Sequence, residues 1–140
     1  MELKVKEERT GWRDQGISAR HRSWGYDCPA LDIDFLMLEY DHGKAAALVE
    51  FKNEAAAQVH LGHPSMRAVI GLADNSAIPF FVVRYAGDFS WYDVHPANAK
   101  AREIVPKQIK LTESEWVQLL YFCRDRKMPD ELLEALEALV

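Results

Sequence analysis

The sequence predicts a mixed α/β fold, and three observations carry that prediction. Apolar runs of strand length (31–40, 45–52 and 79–86) alternate with alanine- and leucine-rich stretches of helical period. Turn and capping signals separate these runs, with no Gly/Ser linker, internal repeat or low-complexity tract. The chain has 140 residues, 49% hydrophobic and 28% charged, which is one domain's worth and enough for a core without disulfide or metal staples. A single domain over 1–140 is expected, with a mixed central sheet and C-terminal helices.

Residues 1–27 form a basic N-terminal segment; within 1–24, Lys4, Lys6, Arg9, Arg13, Arg20 and Arg22 outnumber four acids. A helix is expected over about 2–10, ending near Gly11, and Cys28-Pro29 punctuates the chain. Residues 31–40, LDIDFLMLEY, read as a strand buried on both faces for most of its length, and 45–52, AAALVEFK, as its partner. Asp41-His42-Gly43 suits a three-residue hairpin loop with glycine at the φ > 0 position. An alanine-rich helix is expected over 53–62 with Asn53 as its N-cap, and a second from Pro64 to about Asp74. Residues 79–86 suit an inner strand and 89–95 the next, joined by a tight Gly87-Asp88 turn. Residues 100–105 suggest a short edge strand. Thr112 with Glu115 makes a capping box for a helix through about Arg126, and Pro129-Asp130 opens the last helix. Trp116, Leu119, Leu120, Phe122 and Cys123 recur at helical spacing and are expected in the core.

Composition removes several function classes. Cys28 and Cys123 are far apart and in no CxxC pair, which excludes a disulfide framework and a four-cysteine zinc site. Reduced, partly buried thiols suggest a cytoplasmic protein. No stretch approaches the roughly 18 apolar residues of a membrane helix, and the N-terminus lacks the apolar core of a signal peptide. No membrane partner is expected. Neither GxxxxGK[ST] nor GxGxxG occurs, so no nucleotide cofactor is indicated, and Ser/His/Asp catalysis lacks a nucleophile elbow. The net charge of −5 is uneven: residues 111–140, the acidic C-terminal helices, hold seven acids and three bases, leaving 15 acids and 14 bases elsewhere. His60 and His63 have ligand spacing but no nearby third and fourth ligand, and His95 reads as a strand-end residue.

The hairpin is where the sequence becomes specific. Asp32 and Asp34 share one strand face, as do Glu50 and Lys52. If Asp41-His42-Gly43 is the whole loop, Tyr40 pairs with Lys44, Asp34 falls opposite Glu50 and Asp32 opposite Lys52. Directly opposite side chains lie about 4.5–5.5 Å apart on one face. Crowded carboxylates in apolar strands repel and resist desolvation. A hard divalent cation such as Mg²⁺ resolves that conflict, and a lysine beside it could hold a phosphate or help deprotonate water.

Asp34 followed sixteen residues later by Glu50-Phe51-Lys52 resembles the D…(D/E)xK motif of the PD-(D/E)XK nuclease superfamily, over roughly residues 28–60. The resemblance implies a restriction-endonuclease-like αβββαβ core and Mg²⁺-dependent hydrolysis of DNA phosphodiesters, with Mn²⁺ as a substitute. By position it implies Asp34 and Glu50 as metal-binding catalytic residues, the Phe51 backbone carbonyl as a third ligand and Lys52 as the catalytic residue that orients or activates water. Asp32 is a candidate for a second metal or a supporting carboxylate, and Glu8 (or Glu7) and Gln58 are auxiliary candidates. No proline directly precedes Asp34; the nearest is Pro29. Arg20, His21, Arg22 and Trp24 are candidate nucleic-acid contacts. Small size suggests recognition of DNA structure, as in junction resolution, repair or phage recombination, with a homodimer supplying two sites. The alternative is a catalytically inactive nucleic-acid-binding or protein-interaction module on the same fold.

Overall fold

The computed structural model describes residues 15–25, 27–56 and 59–139, and the chain divides into two compact units, 1–32 and 33–140. The expected helix over 2–10 lies outside the described residues.

In the first unit, α1 (Gln15–Arg22) is a helix where the sequence suggested only a basic stretch. Arg20, His21 and Arg22 fill its last turn, where cations oppose the negative end of the helix dipole. His21 Nε2 lies 2.7 Å from the Cys28 carbonyl and its ring meets Trp24 at 5.0 Å.

The second unit is a five-stranded mixed sheet with helices. The strands are β1 (Phe35–Glu39), β2 (Lys44–Asn53), β3 (Phe80–Tyr85), β4 (Tyr92–Pro96) and β5 (Ile109–Leu111), in spatial order β1-β2-β3-β4-β5. All neighbours are antiparallel except β2 and β3, which run parallel across the connection holding α2 (Pro64–Asn75). The remaining helices are α3 (Ala99–Ile104), α4 (Glu113–Cys123) and α5 (Asp130–Glu137). No helix among the described residues is long and apolar enough to cross a membrane.

Alternation along the strands builds two cores. On one face Val49, Phe81, Val83, Tyr92 and Val94 pack with Trp116 of α4 and Ala101 of α3. On the other, Leu48, Phe80, Val82 and Ala97 pack with Val69 and Ala73 of α2. The inner-strand reading of 79–86 is met: Phe80 to Val83 are all buried.

Several expectations are corrected. β1 is an edge strand with Phe35, Leu36 and Leu38 about half exposed, because it has a neighbour on one side only, so burial on both faces does not hold. Residues 53–56 form a turn rather than a helix: the Asn53 side chain accepts from the Ala55 N–H (3.0 Å), a local bond that competes with helix formation. Residues 100–105 are largely helix α3, because buried Asn98 caps it by accepting from the Ala101 N–H at 3.0 Å. The same Asn98 also accepts from Phe80 and donates to Asp74 and Ile78, so its polar atoms are satisfied. β4 starts at Tyr92, and 86–91 form a longer turn with Phe89 at φ +61°. Phe122 is exposed on the outer side of α4, and that helix ends at Cys123 rather than near Arg126. Cys28 is exposed, while burial pushes the half-buried Cys123 thiol up to about 11. The Thr112–Glu115 capping box is present with both of its bonds.

Candidate functional site

The β1–β2 hairpin sets the site. Its loop has four residues, not three: Tyr40–His42 form one 3₁₀ turn, Gly43 closes it at φ +59°, and Glu39 pairs with Lys44. A one-residue change of register would send every side chain to the other face. A β-bulge between Met37 and Leu38 takes up the difference, so Phe35 pairs with Val49, Leu36 with Leu48 and Met37 with Ala47. That is the register expected from the sequence, reached by a different loop. Asp34, just ahead of Phe35, therefore falls beside Glu50.

The side chains bear this out. Asp34 Oδ2 accepts from the Phe51 N–H at 3.1 Å, taking the place of a ladder partner where β1 has ended. A strand residue's N–H and C=O point to the same edge, so the Phe51 carbonyl faces that side too. Lys52 Nζ lies 4.0 Å from Glu50 Oε1, with both side chains about a quarter exposed. Desolvation raises the Glu50 carboxyl above its ordinary value, the Asp34 charge raises it further, and Lys52 opposes both. Phe51, between the two polar residues, turns to the opposite face. Its ring meets Phe35 edge-on at 5.2 Å and Trp116 at 5.9 Å, which anchors the backbone carrying Glu50 and Lys52.

The polar face continues beyond the hairpin. In register, Lys52 pairs with Arg84, Arg84 with Asp93 and Asp93 with Lys110; one row along, Glu50 pairs with Val82 and Val82 with His95. Arg84 Nη2 donates to the Glu54 carbonyl at 2.7 Å. Asp93 accepts from Gln108 Nε2 at 2.9 Å through both oxygens and lies 3.5 Å from His95 Nε2. The sequence reading missed Arg84, Asp93 and reassigned His95 to a strand end. The signal was the alternation Phe80-Val82-Arg84 and Asp93-His95, but sharing a face with Glu50 depends on the parallel β2–β3 register.

Asp34, Glu50, Phe51 and Lys52 are thus brought together. Asp32 belongs to the first unit, where it lines a cavity of about 560 Å³ with His21 and Arg22. Arg20, His21, Arg22 and Trp24 are on or just after α1, with Trp24 about half exposed. Glu8, Glu7 and Gln58 lie outside the described residues. His63 caps α2, its Nδ1 accepting from the Ser65 N–H at 3.2 Å.

Among the described residues no three His, Cys, Asp or Glu side chains cluster closely enough to hold a metal by themselves. Mg²⁺ commonly uses one or two carboxylates plus waters and phosphate, so the Asp34–Glu50 pair fits that chemistry. A cation would also relieve the charge crowding that raises Glu50. Comparison with known protein families, characterised proteins and solved structures gives no match.

Proposed function

We propose that the chain is a Mg²⁺-dependent nuclease of the PD-(D/E)XK type that hydrolyses DNA phosphodiester bonds. The observation that carries this reading is the crowding of two carboxylates and one ammonium on one sheet face: Asp34 anchored to the Phe51 N–H, and Glu50 with its raised carboxyl 4.0 Å from Lys52. The run β1-β2-α2-β3 also matches the ββαβ part of the expected αβββαβ order; among the described residues two strands, not three, precede α2.

Asp34 and Glu50, with the Phe51 carbonyl, would hold the cation, which when bound polarises the phosphate and lowers the pKa of water. In the reaction, a water oxygen adds to phosphorus while the bond to the leaving oxygen breaks, and the leaving oxygen takes up a proton. Lys52 holds the attacking water and offsets the charge that builds on the phosphate oxygens. The phosphodiester supplies the anion that these groups need. Branched or flapped DNA, as in junction resolution, repair or phage recombination, is the substrate class that suits a small domain, with a homodimer cutting both strands.

The test is cleavage of branched, single-stranded and duplex DNA in Mg²⁺ and in Mn²⁺. Wild-type cleavage should vanish with EDTA and fall at least about 100-fold in Glu50→Ala and in Lys52→Ala. Cleavage that survives both substitutions overturns the assignment of the site. Binding without cleavage in either metal favours the inactive module.

A further inference from the structure

Buried polar groups in proteins are nearly always hydrogen-bonded, so an orphan asks for an explanation. Among the described residues three buried side-chain nitrogens have no hydrogen-bond partner: Arg84 Nε, His95 Nε2, which lies 3.5 Å from an Asp93 oxygen, and Arg124 Nε. Arg124 belongs to an ion cluster at the hairpin loop, where its guanidinium lies 3.8 Å from Glu39. The other two are on the polar face that carries Glu50 and Lys52.

Their placement is ordered. Arg84 sits directly across from Lys52, one strand over, and His95 sits in the Glu50 row, two strands over with only Val82 between them. At about 4.8 Å per strand, the backbone at Arg84 stands roughly 5 Å from that of Lys52, and the backbone at His95 roughly 10 Å from that of Glu50. The Glu54 carbonyl fixes the Arg84 guanidinium by one nitrogen, which leaves Nε without an acceptor. The nearest acid in register, Asp93, makes no ion pair with Arg84; Gln108 engages both its oxygens and His95 stands beside it. Further along the row, the Lys110 ammonium lies 4.5 Å from the centre of the Trp91 ring, which holds a third cation on the far side of Asp93. A guanidinium whose Nε lacks an acceptor, with an imidazole in the neighbouring row, suits an anion with several oxygens.

We infer that Arg84 and His95 form a second phosphate-binding subsite for the substrate strand, beside the Asp34–Glu50–Lys52 group. The inference rests on the nuclease reading and adds a second contact with the substrate to it. Arg84 and His95 bind a phosphodiester next to the one being cut; they take no part in bond making or breaking.

The experiment measures binding of a fluorescein-labelled 20-nucleotide single strand and of the same sequence as a duplex, by anisotropy in Ca²⁺ over a range of salt. Cleavage in Mg²⁺ is followed in parallel, and folding is checked by circular dichroism. Arg84→Gln should weaken binding roughly 10- to 100-fold and reduce the slope of log K against log salt by about 1. It should raise KM while kcat at saturating DNA stays within a few-fold. Arg84→Lys should recover part of the affinity together with the salt slope, and the slope is the readout that a purely structural role for the Glu54 contact would not move. His95→Gln should weaken binding by a smaller factor, and it decides the matter if Arg84→Gln fails to fold. Wild-type affinity and salt slope in both variants overturn the subsite, and leave the nuclease reading standing if Glu50→Ala abolishes cleavage. Wild-type protein that binds DNA without cutting it overturns the nuclease reading while the variants still decide the subsite. Wild-type protein that neither binds nor cuts overturns both.

Discussion

The two ends of one hairpin treat charge in opposite ways. At the loop end, Glu39 is nearly buried yet fully engaged: Arg126 donates to it through Nε at 2.9 Å and Nη2 at 2.7 Å, and the same Nη2 also reaches Asp41. Arg126 accordingly holds the Glu39 carboxyl below its ordinary value. At the open end, Glu50 is desolvated, faces another acid, and has Lys52 only at 4.0 Å; its carboxyl is raised. Charge at the loop end is spent on tying β1 to the segment after α4. At the open end it is left partly uncompensated, a condition that a bound cation and a phosphate would relieve. The two carboxylates on one pair of strands thus shift in opposite directions.

Three substitutions can break or sharpen that contrast. The largest effect is expected at the packing behind the open end. Trp116 is buried against Phe51, Phe81 and Tyr92, and Trp116→Ala should cost about 3–5 kcal/mol in chemical denaturation. A small loss there would show that Phe51 does not anchor the strand that carries Glu50 and Lys52.

The next effect is at the loop end. A carboxyl lowered below 4.5 on folding contributes stability above that pH and loses it as pH falls through the folded value. Glu39→Gln should therefore lower the melting temperature by several degrees at pH 7, with the gap closing in acid. An unchanged melting temperature at pH 7 would remove the structural role of the cluster.

The smallest effect has the opposite sign. A carboxyl raised above 4.5 on folding penalises the folded state once pH exceeds its folded value, and the penalty fades as pH falls to 4.5. Glu50→Gln should raise the melting temperature by about 1–2 °C near pH 7 and by nothing in acid. Added Mg²⁺ should stabilise the wild type and not this variant. A Glu50→Gln protein that melts lower than wild type at pH 7 would mean that Glu50 is satisfied like Glu39.

The sequence by itself determined what depends on near neighbours. The glycine-ended loop, the period-two apolar pattern and the D…ExK spacing make Asp34 and Glu50 share a face; the capping box fixes the start of α4. Even there, the loop came out one residue longer, and the bulge after Met37 restored the register, because burying Met37, Val49 and Phe51 on one face outweighs the shape of the turn. Only the tertiary structure decided the rest. Residues 100–105 are helical because Asn98 is buried where it can bond Phe80, Ala101, Asp74 and Ile78 at once. Arg84 and His95 share a face with Glu50 and Lys52 because β2 and β3 pair in parallel across a long connection, and no local pattern encodes that register. Short-range periodicity decides which face a residue takes on its own strand; the pairing of distant strands decides whose face it shares.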